Sequence, residues 1–149
     1  MIENYIYKLN VNPFWGSLLM KSFYKGYSKT NCPMLIHYII LPLVLSLDTR
    51  NLFTTSRLNI SDIVEKNPIP FSLLQQNVWQ MHPITNLTLI HLHNTKSITF
   101  QKEIQILETV DYNDYEPSIK EYLECSFILG ELFKDIESVE VFKLLKVIP

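Results

Sequence analysis

Glycine is scarce. Three in 149 residues leave no room for a Gly-rich loop that cradles a phosphate. Cysteine is scarcer: Cys32 and Cys125 stand far apart and match no metal or redox spacing, which fits a reduced, cytoplasmic protein. The opening MIENYIYKLN lacks a basic stretch leading into a continuous apolar run, so no signal peptide is expected there. Charge is thin, with 19% charged residues and a net charge of −2, and unaided tight binding to a nucleic-acid backbone is not expected. The longest uncharged apolar run, Met34 to Leu47, is 14 residues. A bilayer needs roughly 20, so no membrane span is expected. No nucleophile–base pair stands out, and neither enzymatic activity nor a cofactor is expected.

What remains is apolar. At 47% hydrophobic, the chain can fill the core of one domain over residues 1–149. The excess also suits a surface that a partner covers. The region from Asn12 to Arg50 organises the rest. NPFWGSLLMKSFYKGY reads as an amphipathic helix, with Asn12 as cap, Pro13 at the first turn and a stripe through Trp15, Leu19 and Phe23. Gly26 is placed to close it. Asn31 to Pro33 restart the chain by the same capping logic. PMLIHYIILPLVLSLDTR then predicts a buried central helix kinked by Pro42 and ended by Asp48–Arg50, with Arg50 suited to its C-terminus.

Residues 1–11 alternate partly and suggest an arm or short strand. Asn59 caps a third helix that Asn67–Pro70 ends. A fourth runs from Pro70 to about His93 and is divided by Pro83; Phe71, Leu74, Val78 and Met81 form its stripe, continued by Leu87, Ile90 and His91. Ile98 and Phe100, then Ile104 and Ile106, alternate as two strands of a hairpin turning near Lys102–Glu103. Pro117 starts another helix, and Ser138 caps a last one. The sum is a mostly helical α+β domain, winged-helix-like, with five to seven helices and one β-hairpin.

Each chemically suggestive group has a plainer reading. His91 and His93 diverge on a helix and have no third ligand nearby, so they read as a helix end and not a metal site. His37 reads as a buried, hydrogen-bonded histidine, and His82 as a partner for backbone freed at Pro83. Cys125 reads as structural. The acidic loop of Asp111, Asp114 and Glu116 lacks the glycine and bidentate glutamate of a calcium loop. Lys21, Lys25 and Lys29 read as a solvated helix face. Met20, Leu19 and Phe23 resemble a docking stripe but mostly fit core packing.

Three ordered pieces, NPFWGSLLMKSFYKGY, PMLIHYIILPLVLSLDTRNLF and LGELFKDIESVEVFKLLKVIP, resemble the middle component of bacterial three-component ABC systems. The shared marks are Asn12-Pro13, Gly26-Tyr27, Leu41-Pro42-Leu43, Thr49-Arg50, Leu129-Gly130 and Leu145-Lys146-Val147. Two departures stand near the end: Phe133-Lys134 where a more basic and aromatic sequence is usual, and Lys146 where glycine is usual. The resemblance implies a non-enzymatic accessory subunit in antiphage or anti-plasmid defence of the Lamassu type. It would bridge an SMC/Rad50-like ABC ATPase and an effector, a nuclease being one candidate. DNA contact would be indirect or confined to the complex. Trp15 and Trp79 are the expected aromatic anchors of the interfaces. The alternative is a stand-alone winged-helix DNA-binding regulator. Lys96 and Lys102 on the hairpin favour it; Glu103 and Glu108 oppose it.

Overall fold

The computed structural model describes residues 12–56 and 58–149; the expected arm or strand over residues 1–11 lies outside them. Helix α1 (Pro13–Tyr27) begins as the sequence dictates. Asn12 accepts a hydrogen bond from the Phe14 N–H at 3.0 Å, and Pro13 occupies the first turn, where an N–H would have no partner. The left-handed residue that closes α1 is Ser28, at φ 59°, and not Gly26. Asn31 caps nothing. With Cys32 it forms strand β1 (Asn31–Cys32).

A 3-10 turn (Met34–Ile36) leads into α2 (His37–Leu45), the central helix. Every residue of α2 except Tyr38 is buried, and the helix touches α1 and the later helices on several sides. Pro42 lies within α2 and is buried. The apolar run does not continue through Leu47: an extended Ser46 ends α2, and α3 (Leu47–Thr55) starts at once. Helix α4 (Ile60–Lys66) is capped by Asn59, whose side chain accepts from the Asp62 N–H at 2.9 Å.

The long helix expected next is three: α5 (Pro68–Phe71), α6 (Leu74–Gln80) and α7 (His82–Asn94). The region is divided beside Pro83 as expected, at Met81, and Pro83 falls in the first turn of α7, where proline is tolerated. Its buried face carries Ile84, Thr85, Thr88, Leu89 and Leu92; Leu87 and Ile90 point outward. The hairpin forms as expected from β2 (Ile98–Phe100) and β3 (Ile104–Ile106). Strand β1 adds to it, giving a three-stranded antiparallel sheet in the order β1-β3-β2, with Cys32 opposite Ile104 and Ile98 opposite Ile106. Helix α8 (Pro117–Phe133) packs along α1 more extensively than any other pair, and α9 (Ser138–Leu145) closes on α4. Ser138 is the first residue of α9 and not its cap; Glu137 precedes it in extended conformation. The fold is thus α+β and mostly helical.

Candidate functional site

Helices α1 and α8 meet at two glycines. A Cβ on Gly26 would overlap the Phe127 carbonyl oxygen, and one on Gly130 would overlap that of Phe23 and lie 2.6 Å from the Tyr27 nitrogen. Ser22 donates to the Leu123 carbonyl across the same seam at 2.5 Å. Tyr27, beside Gly26, stacks on Phe23 at 5.5 Å. Burial, with Cys32 next in effect, pushes the Tyr27 phenol up to about 12.

Near their N-terminal ends α1 and α8 part. The gap is a groove of about 510 Å³ lined by Asn12, Phe14, Trp15, Leu18, Ser118, Ile119 and Tyr122. Trp15 is half-buried and meets Tyr122 edge-on at 5.5 Å. Behind Tyr122 lies Arg50, its guanidinium 4.0 Å from the ring centroid and itself buried. Arg50 Nη1 donates to the Val44 carbonyl at 2.9 Å, and the Thr49 hydroxyl donates to the Leu43 carbonyl at 2.6 Å. The Thr-Arg pair therefore caps the end of α2 from the first turn of α3, satisfying carbonyls that have no intrahelical partner. Glu121, half-exposed, stands 3.6 Å from Arg50 Nε.

The apolar surface continues past the groove. Phe14 is 66% exposed and meets His91 edge-on at 6.0 Å. Leu87, one turn earlier on α7, and Ile90 are each 51% exposed. Isolated exposed apolar residues are ordinary; a connected run of them signals a partner. Trp79 is 55% exposed on α6, and Pro42 lies in the core. Sequence reasoning missed Tyr122 and Ile119 as groove residues. Their spacing with Ser118 along α8 was the available signal.

The remaining chemistry is quiet. His37 is fully buried; its Nδ1 lies 3.0 and 3.1 Å from the Pro33 and Met34 carbonyls and so carries the proton, while Nε2 accepts from the Tyr24 hydroxyl at 2.8 Å. Burial lowers its pKa to about 4. His82 does not serve the backbone: its ring packs edge-on to Tyr38 at 4.8 Å, and its Nε2 has no hydrogen bond. Cys125 is buried, its thiol pushed up to about 12, and Cys32 is buried likewise. Of the expected lysine face, Lys21 pairs with Glu108 at 3.0 Å and Lys29 donates to the Lys134 carbonyl. No group of side chains able to hold a metal ion is present among the described residues, and no helix among them is long and apolar enough to cross a membrane.

Neither a curated protein nor a solved structure matches the chain. The sequence profile of Middle Component 3 of ABC-three component (ABC-3C) systems matches residues 2–149. This match spans both glycines of the seam, the Thr49-Arg50 cap and the groove, and the chain belongs to the Middle Component 3 family of ABC-three component systems.

Proposed function

We propose that the protein is a non-enzymatic, cytoplasmic subunit that bridges an SMC/Rad50-like ABC ATPase and an effector in a Lamassu-type defence complex. The observation that carries this reading is the connected apolar face running from the Trp15–Tyr122 groove through Phe14 and His91 to Leu87 and Ile90. A folded domain with its core already filled gains nothing from exposing this surface. Buried against a partner, it supplies the apolar centre of an interface, with Trp15 and Phe14 as aromatic anchors. A standard interface buries about 1,600 Å² in total. Trp79, exposed on α6, is a further candidate anchor.

The α1-then-β1 order, with the hairpin completing the sheet, supports a winged-helix-like arrangement, used here for attachment. The test is co-expression with the two neighbouring components and affinity capture of the ATPase. Leu87→Asp with Ile90→Asp changes two outward-facing side chains and should leave the fold intact while abolishing co-capture. Trp15→Ala and Trp79→Ala should each weaken it. Full assembly with all of these changes would overturn the assignment. Tight binding of duplex DNA by the isolated subunit at physiological salt would favour the stand-alone regulator.

A further inference from the structure

The hairpin carries an aromatic that the core does not use. Phe100 ends β2 on the same sheet face as the buried Ile98 and Ile104, yet it is 44% exposed. Its ring lies nearly parallel to the His93 imidazole, with centroids 5.0 Å apart and planes 29° from parallel. His93 is itself exposed at the end of α7. Next to this stack is a groove of about 500 Å³ lined by His93, Asn94, Lys96, Ile98, Thr99 and Leu107.

The charge around it is positive. Lys96 lines the groove beside the stack, and Lys102 stands in the hairpin turn two residues beyond Phe100; both are exposed, and neither joins an ion pair among the described residues. The nearby carboxylates face other groups. Glu108 pairs with Lys21 at 3.0 Å, and Glu103 lines a different groove with Tyr27 and Lys29. Lys96 also holds φ 61°, a left-handed conformation that costs a lysine more than a glycine. The Ser97 N–H donates to the Leu92 carbonyl around it, which is how a helix closes when glycine sits at this position.

We infer that the Phe100–His93 stack binds unpaired bases of single-stranded nucleic acid, with Lys96 and Lys102 on the adjacent phosphates. Flat aromatic faces edged by cations and by amide and hydroxyl groups match a nucleotide, which offers a π-face and a phosphate together. A duplex keeps its base faces stacked and hidden, and two lysines are too few to hold it by charge. This contact goes beyond bridging: a subunit can join ATPase to effector without it.

The test uses the full chain and a fluorescein-labelled oligothymidylate, read by anisotropy from about 50 to about 200 mM salt. The wild type should bind saturably and weakly. Phe100→Leu keeps apolar contact with the core but removes the stack, and should weaken binding roughly five- to hundredfold. Phe100→Trp should retain binding, and its emission should be quenched by the oligonucleotide. Lys96→Gly with Lys102→Gln should lower the slope of log affinity against log salt by about 1.4, which is two single-strand phosphate contacts. A Phe100→Leu protein with wild-type melting and wild-type affinity would overturn the inference. So would a salt slope unmoved by the lysine changes, no saturable binding by the wild type at the lowest salt, or tighter binding of a duplex of equal length.

Discussion

Gly26 and Gly130 face each other across the α1–α8 seam: a Cβ on Gly130 would lie 3.0 Å from the Gly26 carbonyl carbon. The obstacles on both sides are backbone atoms, which cannot rotate away as a side chain can. Gly26→Ala or Gly130→Ala must therefore push the two longest helices apart. Each should destabilise the domain by about 3 kcal/mol, the upper end of ordinary overpacking. Thermal melting checks this. Because both glycines serve one crossing, the double variant should lose clearly less than the sum of the single losses. Additive losses would mean that the two contacts are independent.

Gly26 shows what was hidden in the sequence. Its place near the end of α1 suggested a helix-closing role, and local spacing contains nothing else. The reason for it lies about a hundred residues on, at Gly130, and only the packed helices disclose that. Leu87 and Ile90 mislead in the same way. Apolar periodicity located a stripe on α7, but Gly16 brings α1 close to Thr88, and the side of α7 bearing Thr85 and Thr88 turns inward instead. By contrast, Asn12, Asn59, Pro117 and the hairpin alternation act through neighbours in sequence, and each was legible. The groove lay between: Trp15 was identified on one helix, while Tyr122 on the other needed the fold.

Arg50 joins the core to the groove, and its loss should be felt at both. Arg50→Met keeps bulk but leaves the Val44 carbonyl without its donor and removes the cation from the Tyr122 ring. A cost of about 2 kcal/mol is expected from a buried carbonyl left unsatisfied and a lost cation–π contact. Arg50→Lys should recover only part of it, since an ammonium cannot lie flat on the ring while bonding the carbonyl. Urea unfolding measures the stability. Trp15 emission should shift in Arg50→Met, because Tyr122 stands between the two, and an unchanged spectrum would argue against that linkage.

His37 makes the fold sensitive to acid. Its folded value of about 4 lies below the 6.5 of an exposed histidine, so the unfolded chain binds the extra proton between these pH values. Stability must therefore rise with pH across that window, be complete above it and fall away as pH drops toward 4. The gap is worth on the order of 3 kcal/mol. Tyr24 is the titratable group bonded to the ring and stays protonated throughout, since burial raises its pKa. His37→Gln should be less stable at neutral pH and should lose less between pH 6.5 and 4.5, when the two proteins are compared by urea midpoint. Identical pH dependence in both would place the acid sensitivity elsewhere.

Lys146 explains the departure at the end of the chain. It holds φ 60° and ψ 40° just beyond α9, while the Val147 N–H reaches back to the Phe142 carbonyl at 3.1 Å. That is the position where a helix is closed by a left-handed residue, and glycine takes it without a Cβ penalty. The lysine does not break the contact that follows. The Gln75 amide still clamps Ile148, accepting from its N–H at 2.7 Å and donating to its carbonyl at 2.9 Å. The substitution is therefore a matter of local backbone energy, with the docked end unchanged. Lys146→Gly should raise stability by about 0.5–1 kcal/mol, because the relief of the left-handed side chain outweighs the added freedom of the unfolded chain. Gln75→Ala should instead lower it by about 1 kcal/mol by freeing the end. Thermal melts of the two variants and the double mutant separate these effects: the gain from glycine should persist in the Gln75→Ala background, and its disappearance there would mean that the cap and the clamp act as one.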